Sequence, residues 1–498
     1  MAKVISAALF GLDCTPVEVE VDISSGLPNF TVVGLPDTAV KESRERVRAA
    51  IKNSGLEFPR TRVTVNLAPA DVKKEGPSYD FPVAASILIT QGTIPENAPA
   101  LEAALLVGEL ALDGTLRPVT GILSIALLAK KWGVKRIFLP PGNAREAAVV
   151  RDLEIFPVPS LLSFVEFLTD RAPLEPFLCP TDEVREARFY VHDFAQIRGQ
   201  THAKRALEVA AAGAHNVLMH GPPGAGKTML ARALPSILPE LTIDEAIEVT
   251  RVWSAAGVLK ENSSLVQIRP YRSPHHSASA VSLVGGGTWP RPGEISLAHR
   301  GVLFLDEFPE FSRHVLENLR QPLEDGVVTV SRAAGTVEFP AKFMLVAAQN
   351  PCPCGFLTDP AKPCVCSPQQ VTTYQKKISG PLLDRIDVRI DVPAVSIDEL
   401  TASANEEPSS KIQARVQAAR ERQLERFKDA KIVSNSEMNA EQIREFCRLP
   451  EEASGLMRLA VTKHHLSARA YHRTLKLART IADLAASDII KTQHLAEA

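Results

Sequence analysis

Residues 221–228 have the types and spacing needed to hold a chain of phosphates. Glycines let successive backbone N–H groups turn inward around an anion, and the start of a following helix adds positive potential. A lysine at this point bridges the β- and γ-phosphates, and the hydroxyl after it binds Mg²⁺. An apolar run at 216–219 and a helical pattern at 229–238 supply the flanks that such a loop requires. The predicted ATP-binding residues are Gly221, Pro222, Pro223, Gly224, Ala225, Gly226, Lys227 and Thr228.

Two acidic residues, Asp306 and Glu307, follow a second apolar run at 301–305. A buried parallel strand would present both carboxylates at its carboxyl end, where ligands bind in open α/β sheets. Asp306 is expected to hold Mg²⁺ through water, and Glu307 is expected to polarise the attacking water. Acidic pairs after apolar strands are common, but one downstream of a phosphate loop indicates nucleotide hydrolysis.

A third apolar run ends at Asn350, and an arginine, Arg385, follows further along. A polar amide at the end of a strand can orient a water and sense the γ-phosphate, which is the role predicted for Asn350. The guanidinium of Arg385 could reach the γ-phosphate of a neighbouring subunit and stabilise charge in the transition state. It could equally pair with Asp384 or Asp387 of its own chain, and the residues alone leave both readings open.

Four of the seven cysteines lie within residues 352–366. In a reducing compartment such a cluster favours a metal site over disulfides, and four thiolates can close a tetrahedral Zn²⁺ site. The C-x-C spacing is tighter than the usual C-x₂-C, so free thiols are the alternative. Four sulfur ligands leave no open position, which makes the predicted zinc structural and places it in a loop at 350–368. The predicted ligands are Cys352, Cys354, Cys364 and Cys366.

The composition of the 498-residue chain bounds its class. It is 45% hydrophobic and 23% charged, which excludes global disorder and a fibrous repeat. No apolar run approaches the roughly 18 residues that span a bilayer, and the first residues lack the pattern of a signal peptide. We therefore expect a cytoplasmic protein without a membrane segment. Lys and Arg number 56 against 58 Asp and Glu, so a surface for nucleic acid would have to be local.

The chain reads as three segments joined by one linker. Residues 1–170 alternate β-rich runs with helical patterns, and the charged, proline-containing stretch 171–190 has the composition of a linker. Residues 191–393 form an α/β unit that carries the motifs above. After that point, at 394–498, the pattern becomes helical throughout.

The order of the motifs resembles that of the AAA+ ATPases: phosphate loop, acidic strand, Asn-ended strand, arginine and helical domain. Further motifs at 273–276, 285–287, 291–299 and 319–326 look like the magnesium-chelatase-like branch of that superfamily. With its N-terminal segment, the whole chain resembles the YifB/ComM family. The resemblance implies a homo-hexameric ring with ATP at subunit interfaces. It also implies a DNA-remodelling motor, with branch-migration helicase activity in natural transformation as the best-known role.

The resemblance also implies two elements that face the pore of related ring helicases. They are an insertion at about 270–297 and a β-hairpin at 327–339. Arg332 near the hairpin tip is the natural contact for a DNA phosphate, with a solvated arginine as the alternative. His275 and His276 in the insertion are expected to pack or to face DNA rather than to bind a metal.

The C-terminal helical segment resembles the lid that folds over the nucleotide in related ATPases. Its stretch 455–482 contains six Lys and Arg residues and no acid. By similarity to related lids, Arg469 is expected to reach the γ-phosphate of its own subunit, with Arg473 as the runner-up. The alternative is an ordinary basic helix face.

Motifs at 74–78, 108–114 and 118–121 resemble the Lon-type protease domain, which uses a Ser–Lys dyad. Ser78 matches the position of the nucleophile. Leu123 occupies the position where the lysine should lie, and leucine cannot take a proton. We therefore expect a Lon-like fold without protease activity.

The N-terminal segment also contains a candidate DNA-binding helix that begins after Asp37 and ends near Gly55. Four cations fall on one of its faces at spacings of three, four and four, with apolar residues opposite. Such a stripe suits phosphate tracking, although a solvated face is equally common. The four cations are Lys41, Arg44, Arg48 and Lys52.

The sequence thus predicts an α/β multidomain protein with a Lon-protease-like α+β N-terminal domain, a P-loop AAA+ αβα core and an all-α lid. The leading function is an ATP-driven ring motor on single-stranded, forked or branched DNA. A chelatase-type or MoxR-like remodeller of a protein partner is the alternative. An ATP-dependent protease is disfavoured by Leu123.

Overall fold

The computed structural model describes residues 2–178, 190–260, 263–287, 289–332, 335–359, 362–395, 406–430 and 432–498. The chain divides into two compact units. The first is Met1–Val184 with Ala246–Val266, and the second is Arg185–Glu245 with Gln267–Ala498. Among the described residues, no helix is long and apolar enough to cross a membrane.

The first unit contains a seven-stranded mixed sheet and a small separate hairpin. The strands are β1 (Ala2–Phe10), β2 (Asp13–Ser24), β3 (Asn29–Val33), β4 (Arg62–Ala68), β5 (Ala104–Leu106), β6 (Glu109–Leu110), β7 (Leu116–Arg117), β8 (Arg136–Leu139) and β9 (Glu154–Pro157). The sheet order is β3-β4-β2-β1-β5-β8-β9, and β6 pairs with β7. The helices are α1 (Thr38–Asn53), α2 (Asp80–Thr90), α3 (Ile122–Lys131), α4 (Ala144–Ala147) and α5 (Leu161–Leu168).

Strand β2 shows how the sequence pattern forms this sheet. Val17, Val19 and Val21 are fully buried, whereas Glu18 and Glu20 between them remain partly accessible. Alternate side chains of a strand point to opposite faces, so this spacing buries one face of β2 and leaves the other polar. Helix α2, in contrast, is buried almost along its whole length and forms the centre of the core.

The second unit is built around five parallel strands. Its strands, including two hairpins, are β10 (Val217–His220), β11 (Tyr271–Arg272), β12 (Gly285–Gly286), β13 (Arg291–Pro292), β14 (Val302–Leu305), β15 (Val327–Arg332), β16 (Gly335–Pro340), β17 (Met344–Gln349) and β18 (Val388–Asp391). The parallel sheet has the order β11-β14-β17-β10-β18, and the hairpins are β12–β13 and β15–β16. The central strands are buried apolar runs, as expected for parallel strands covered on both faces.

The remaining helices surround the sheet of the second unit or fill the C-terminal region, apart from the helix Ile243–Ala256, most of which belongs to the first unit. They are α6 (Thr201–Gly213), α7 (Lys227–Ala233), α8 (Ile243–Ala256), α9 (Ala280–Val284), α10 (Glu294–Leu297), α11 (Arg313–Glu317), α12 (Arg320–Asp325), α13 (Pro368–Gln375), α14 (Gly380–Leu383), α15 (Ser409–Arg426), α16 (Ala440–Phe446), α17 (Glu451–His464), α18 (Ala468–Leu484) and α19 (Thr492–Glu497). Helices α16–α19 enclose a core of their own, which includes Met457, Leu475 and Ala482. The result is a mixed α/β chain with a parallel sheet and a helical C-terminal region.

One boundary differs from the sequence-based segmentation, which placed all of 191–393 in one core. Residues 246–266 belong to the first unit. Ser254 shows the packing that ties them there, because its hydroxyl donates to Glu146 Oε1 at 2.5 Å and accepts from the Gly121 N–H at 2.8 Å. Local patterns predict the helix but contain no information about which sheet it packs against.

Candidate nucleotide site

The phosphate loop lies between the end of β10 and the first residue of α7, Lys227. Gly224 and Gly226 have φ angles of +79° and +90°, in the left-handed region that favours glycine. Gly221 has no room for a side chain, since a Cβ there would lie 2.0 Å from the carbonyl oxygen of Val392. These three glycines therefore permit the tight turn from strand to helix.

The ammonium of Lys227 is held inside the loop. It donates to the carbonyl oxygens of Gly221 at 2.6 Å and Pro222 at 2.8 Å, and to Asn350 Oδ1 at 3.1 Å. Burial lowers the pKa of Lys227, and the nearby charge of Asp306 opposes that shift. The contact with Asn350 joins two of the predicted site residues.

A hydroxyl and a carboxylate meet beside this loop. Thr228 Oγ1 donates to Asp306 Oδ2 at 2.8 Å, which unites the first residues of α7 with the residue after β14. Carboxylate and hydroxyl oxygens are ligands that suit Mg²⁺, which usually keeps several waters and bridges to phosphates. The donor set of these two residues therefore fits that ion.

Glu307 has an unusual backbone and a defined partner. Its φ of +51° is left-handed, which is uncommon for a residue other than glycine. Its N–H donates to Asp306 Oδ1 at 2.9 Å, and its carboxylate lies 3.1 Å from Nδ1 of His276. About half of the Glu307 side chain is accessible, so water can reach it.

Strand topology explains why Asn350 joins the site. Strand β17 lies between β10 and β14 in the sheet, and Asn350 directly follows it. Since parallel strands end at the same edge, the residues after β10, β14 and β17 converge there. The structure thus brings Lys227, Thr228, Asp306, Glu307 and Asn350 together, as their order in the sequence predicts.

Arg385 and Arg469 lie at the opposite end of the parallel strands, where the strands begin. Arg385 precedes β18, whereas the phosphate loop follows the end of β10. Strands β10 and β18 are parallel neighbours, and β10 is about 13 Å long. Both guanidinium groups contact Glu324, and Arg469 Nη2 is 3.1 Å from its Oε1. The partner of Arg385 is therefore neither Asp384 nor Asp387.

This placement does not support the expectation that Arg469 reaches the γ-phosphate of its own subunit. A guanidinium held at Glu324 stands at the beginnings of the strands, while the phosphate loop stands at their ends. The runner-up, Arg473, lies at the same end, since its Nη1 donates to the carbonyl oxygen of Ile386 at 2.5 Å. Burial lowers the pKa of Arg473.

A cavity of about 620 Å³ adjoins these arginines within the second unit, with further cations in its wall, among them Lys342 and Lys476. The Nε atoms of Arg385 and Arg473 are buried and have no hydrogen-bond partner among the described residues. Buried donors without partners are costly. Acidic side chains, among them Asp387 and Glu437, also line the cavity, so the charge of its wall is mixed.

The four predicted cysteines converge. Their Sγ atoms all lie within 4.8 Å of one another, and three of the pairs are 3.4–3.6 Å apart. Tetrahedral Zn²⁺ with bonds of about 2.3 Å separates its sulfurs by about 3.8 Å, so the cluster fits this ion closely. Backbone N–H groups of Phe356 and Val365 lower the pKa of Cys354 to about 6, whereas desolvation and the neighbouring sulfurs raise the pKa of Cys364 to about 12 and also raise that of Cys366.

The cysteine loop lies against the phosphate loop. Gly355 has a φ of +84°, and a Cβ at this position would lie 2.6 Å from Cδ of Pro223. The same loop begins directly after Asn350. The cysteine loop is therefore connected to the nucleotide site both through Pro223 and through Asn350. The spacing of the cysteines does not reveal this arrangement.

The two predicted pore elements of the second unit are in contact. Arg332 lies at the end of β15 and is exposed. A Cβ added at Gly286, in the insertion, would lie 2.7 Å from Nη2 of Arg332. Hairpin and insertion therefore meet at these two residues.

In the first unit, α1 begins and ends close to the predicted residues. Asp37 caps it by accepting from the Val40 N–H at 2.7 Å. Arg44, Arg48 and Lys52 are exposed, and the Arg48 guanidinium lies 5.8 Å from the centre of the Phe58 ring. The side chain of Lys41 lies outside the part of the chain that the structure describes.

Leu123 sits in the core of the first unit. Its side chain is fully buried, and its N–H donates to Glu146 Oε1 at 2.7 Å. Ser78 lies in a short 3₁₀ turn, where its carbonyl oxygen accepts from the Gly108 N–H at 3.0 Å. A buried leucine at this position offers no proton acceptor to a serine.

Sequence reasoning missed one residue that supports the phosphate loop. Gln200, with a φ of +56°, donates through Nε2 to the carbonyl oxygens of Ala225 at 3.2 Å and Pro393 at 2.6 Å. The amide thus connects the loop to the chain after β18. A polar residue next to Gly199, before a helix, was the available signal, but the pattern is too common to identify a site.

Three family models match the chain in turn. The model described as magnesium chelatase, subunit ChlI, matches residues 193–400. The model described as subunit ChlI of Mg-chelatase matches 19–143, and the one for the ChlI C-terminal region matches 406–498. The chain therefore belongs to the magnesium-chelatase-like family, a family of AAA+ ATPases.

Full-length relatives place the chain within that family. It is 45% identical over 501 residues to competence protein ComM of Haemophilus influenzae, covering 100% of this chain and 96% of that protein. It is 44% identical over 492 residues to protein YifB of Escherichia coli, covering 99% and 95%. The chain is thus a member of the YifB/ComM family. Similarity to the magnesium-chelatase 38 kDa subunit of Rhodobacter capsulatus is lower, 28% over 177 residues, covering 32% of this chain and 51% of that protein.

Proposed function

We propose that this protein is an ATP-driven motor that assembles as a homo-hexameric ring and acts on single-stranded, forked or branched DNA. Its cellular role in this proposal is branch migration as a DNA helicase during natural transformation. The observation that carries the proposal is that the catalytic groups are divided between the two ends of the parallel strands of one sheet. Lys227 and Glu307 stand at one end, and Arg385 stands at the other.

A ring would bring the divided groups together, because Arg385 and Arg469 of one copy can face the phosphate loop of the next copy. Arg385 and Arg469 would then stabilise the charge that develops on the γ-phosphate bound by a neighbour. The shared partner Glu324 holds both guanidinium groups together. The geometry thus favours a neighbour-directed role for both arginines.

The residues at the phosphate loop divide the chemistry among them. Lys227 would bind the β- and γ-phosphates, and Thr228 and Asp306 would hold Mg²⁺, which when bound neutralises charge on the phosphates. Glu307 would accept a proton from the attacking water, and Asn350 would orient that water.

Two features support DNA as the substrate. The exposed Arg332 lies at a hairpin tip, a position suited to a phosphate contact. The exposed cations of α1, Arg44, Arg48 and Lys52, offer a second basic stripe, with Lys41 as its predicted fourth member. The full-length similarity to a protein named for competence agrees with a role in transformation.

The remaining parts are proposed to serve this motor. The cysteine cluster would bind a structural Zn²⁺ that braces the phosphate loop. The domain at 1–170 would be a Lon-like fold without protease activity, followed by a linker at 171–190. The core at 191–393 would supply the ATPase, and residues 394–498 the lid.

The test is the ATPase rate of the full-length chain with and without forked or four-way DNA, together with strand separation on the same substrates. We expect DNA to stimulate ATP turnover and ATP to drive unwinding. Arg332→Ala should weaken DNA binding on all sequences and lower the salt slope of binding by about one. Arg444→Ala, an exposed arginine on α16, is the matched control. ATP turnover that no DNA alters at low salt would overturn the proposal.

A second candidate is a chelatase-type or MoxR-like remodeller of a protein partner. The similarity to a magnesium-chelatase subunit over 177 residues favours it. It predicts an ATPase stimulated by a protein and indifferent to DNA, so the same assay separates the two functions.

A further inference from the structure

A fully buried histidine lies next to the segment that carries Arg385. His215 follows helix α6 and precedes β10. Its Nε2 lies 2.8 Å from the hydroxyl of Thr480 on α18, and its Nδ1 lies 3.5 Å from Oδ2 of Asp387. Burying a polar ring costs free energy unless its nitrogens have partners, and an apolar residue would fill the same space without that cost. Core packing alone is therefore a poor explanation for an imidazole at this position.

The surroundings of the His215 ring fix its place. A Cβ at Gly213 would clash with Nε2 of His215 and would lie 2.6 Å from the Thr480 hydroxyl, so the glycine leaves room for the ring. The same hydroxyl accepts from Nδ2 of Asn435 at 3.0 Å. The imidazole is thus held between the end of α6 and the buried face of α18.

The carboxylate of Asp387 is engaged by residues 215 and 216. Its Oδ2 accepts from the Asn216 N–H at 3.1 Å and faces Nδ1 of His215. Burial raises the pKa of Asp387, but His215 and Asn216 lower it, and the pKa lies below its ordinary value. Asp387 is therefore an anion that these two neighbours stabilise.

The backbone of the arginine segment is held by the same parts of the fold. Nδ2 of Asn216 donates to the carbonyl oxygen of Arg385 at 3.0 Å, and Arg473 of α18 donates to the next carbonyl, that of Ile386. Arg473 and Thr480 are about two helical turns apart and so lie on one face of α18. Residues 385–387 are thereby fixed between 215–216 and α18.

Asp387 is a potential competitor for the guanidinium of Arg385. Both residues line the same cavity, and the sequence alone leaves their pairing open. In the structure the guanidinium contacts Glu324 instead, while Asp387 is turned to His215 and the Asn216 N–H. The histidine thus occupies the carboxylate that would otherwise attract the arginine.

We infer that His215 is a positioning residue that engages Asp387 and thereby keeps Arg385 directed towards the γ-phosphate of a neighbouring subunit. In the absence of the imidazole, the Asp387 carboxylate turns to Arg385 and withdraws the guanidinium from the neighbour's site. The inference rests on the proposed function, in which Arg385 completes the ATP site of the next copy.

The first measurement compares kcat and nucleotide affinity of the full-length wild type and His215→Ala. We expect kcat to fall about tenfold or more with unchanged affinity, because a displacement of about 1 Å at a reacting group can cost about 10²-fold in rate. The double variant His215→Ala/Asp387→Asn should regain most of this loss, since an amide still accepts from the Asn216 N–H but no longer attracts a guanidinium. His494→Ala, a buried histidine on α19, controls for the loss of a buried imidazole.

Mixed assemblies show which half of the site the variant has lost. His215→Ala retains its phosphate loop, so mixing it with Lys227→Ala, which retains the arginine, should raise turnover above that of either chain alone. Mixing it with Arg385→Ala should raise nothing, because neither chain then presents a correctly placed arginine. Unchanged nucleotide affinity identifies a folded variant. If His215→Ala does not fold, Thr480→Val, which removes the other contact of the ring, replaces it in every comparison.

A wild-type kcat in His215→Ala, or a double variant no faster than the single one, would overturn the inference. Recovery with Arg385→Ala instead of Lys227→Ala would do the same. Failure of the proposed function looks different, because Lys227→Ala mixed with Arg385→Ala would then stay inactive. The inference alone fails if that mixture recovers while His215→Ala turns over ATP at the wild-type rate.

Discussion

Lys227 shows how few contacts define a nucleotide site at the level of single residues. Its ammonium is surrounded by two loop carbonyls and the Asn350 amide, and the neighbouring Thr228 is bound to Asp306. An ammonium that donates to neutral oxygens can exchange them for phosphate oxygens, and charge-assisted hydrogen bonds are the stronger ones. Binding and hydrolysis should therefore depend on different residues of this site.

Substitution of Glu307 and of Lys227 should separate these two steps. Glu307→Gln keeps the shape of the side chain but removes the proton acceptor, so we expect kcat to fall about 10²- to 10⁴-fold with nucleotide affinity retained. Lys227→Ala should abolish binding of a fluorescent ATP analogue, measured by anisotropy.

Lys428→Ala, at an exposed lysine of the same unit, is the control for both measurements. Full turnover by Glu307→Gln would remove the assignment of the base. Undiminished nucleotide binding by Lys227→Ala would remove the assignment of the loop.

Among the elements, the cysteine loop is the one that packs directly against the phosphate loop of the nucleotide site. Gly355 at its turn lies against Pro223, and the loop begins directly after Asn350. A metal that fixes the four sulfurs would also fix this contact. The loop is thus expected to hold the phosphate loop in its nucleotide-binding shape.

Removal of the metal should weaken nucleotide binding. Metal analysis should find about one Zn²⁺ per chain in the wild type, and Cys366→Ser should lose both the ion and nucleotide affinity. Cys14→Ala, a cysteine of the first unit, should retain both.

A glycine variant tests the contact itself without touching the ligands. Gly355→Ala should keep the zinc but lose nucleotide affinity, since a side chain at positive φ costs roughly 1–2 kcal/mol before the clash with Pro223 is added. Gly380→Ala has open space around its Cβ and serves as the control. Unchanged nucleotide affinity after zinc loss or in Gly355→Ala would show that the loop does not brace the site.

The elements also show what sequence reasoning can reach. The predicted apolar runs at 216–219 and 301–305 correspond to the strands Val217–His220 and Val302–Leu305. Such elements depend on local periodicity and caps, which the sequence displays. The pairing of Arg385 with Glu324 joins residues 61 positions apart, and it follows from topology rather than from any local pattern.

The same distinction applies to the site. The residues of the phosphate loop, the acidic pair and Asn350 were predictable because strand ends converge at one edge of a parallel sheet. The contact of His276 with Glu307 and the bridge formed by Gln200 were not, because both depend on side-chain direction across loops. The packing of 246–266 on the first unit was hidden for a similar reason.

For the whole molecule, the central claim is that two copies complete each ATP site. In the proposed function, the distance between the phosphate loop and Arg385 along the parallel strands would make a single chain insufficient. An arginine supplied from a neighbour is worth about 10³- to 10⁵-fold in rate in comparable phosphoryl-transfer systems. Hydrolysis would therefore require assembly.

Mixing two inactive variants tests this claim most directly. Lys227→Ala lacks the loop lysine and Arg385→Ala lacks the arginine, so each should be inactive alone. In mixed assemblies, an intact loop of one variant faces an intact arginine of the other, and ATP turnover should return to a sizeable fraction of the wild-type rate. Arg389→Ala, an exposed arginine four residues from Arg385, should remain active alone. A mixture that stays as inactive as its components, while both variants still assemble with wild-type chains, would contradict the shared site.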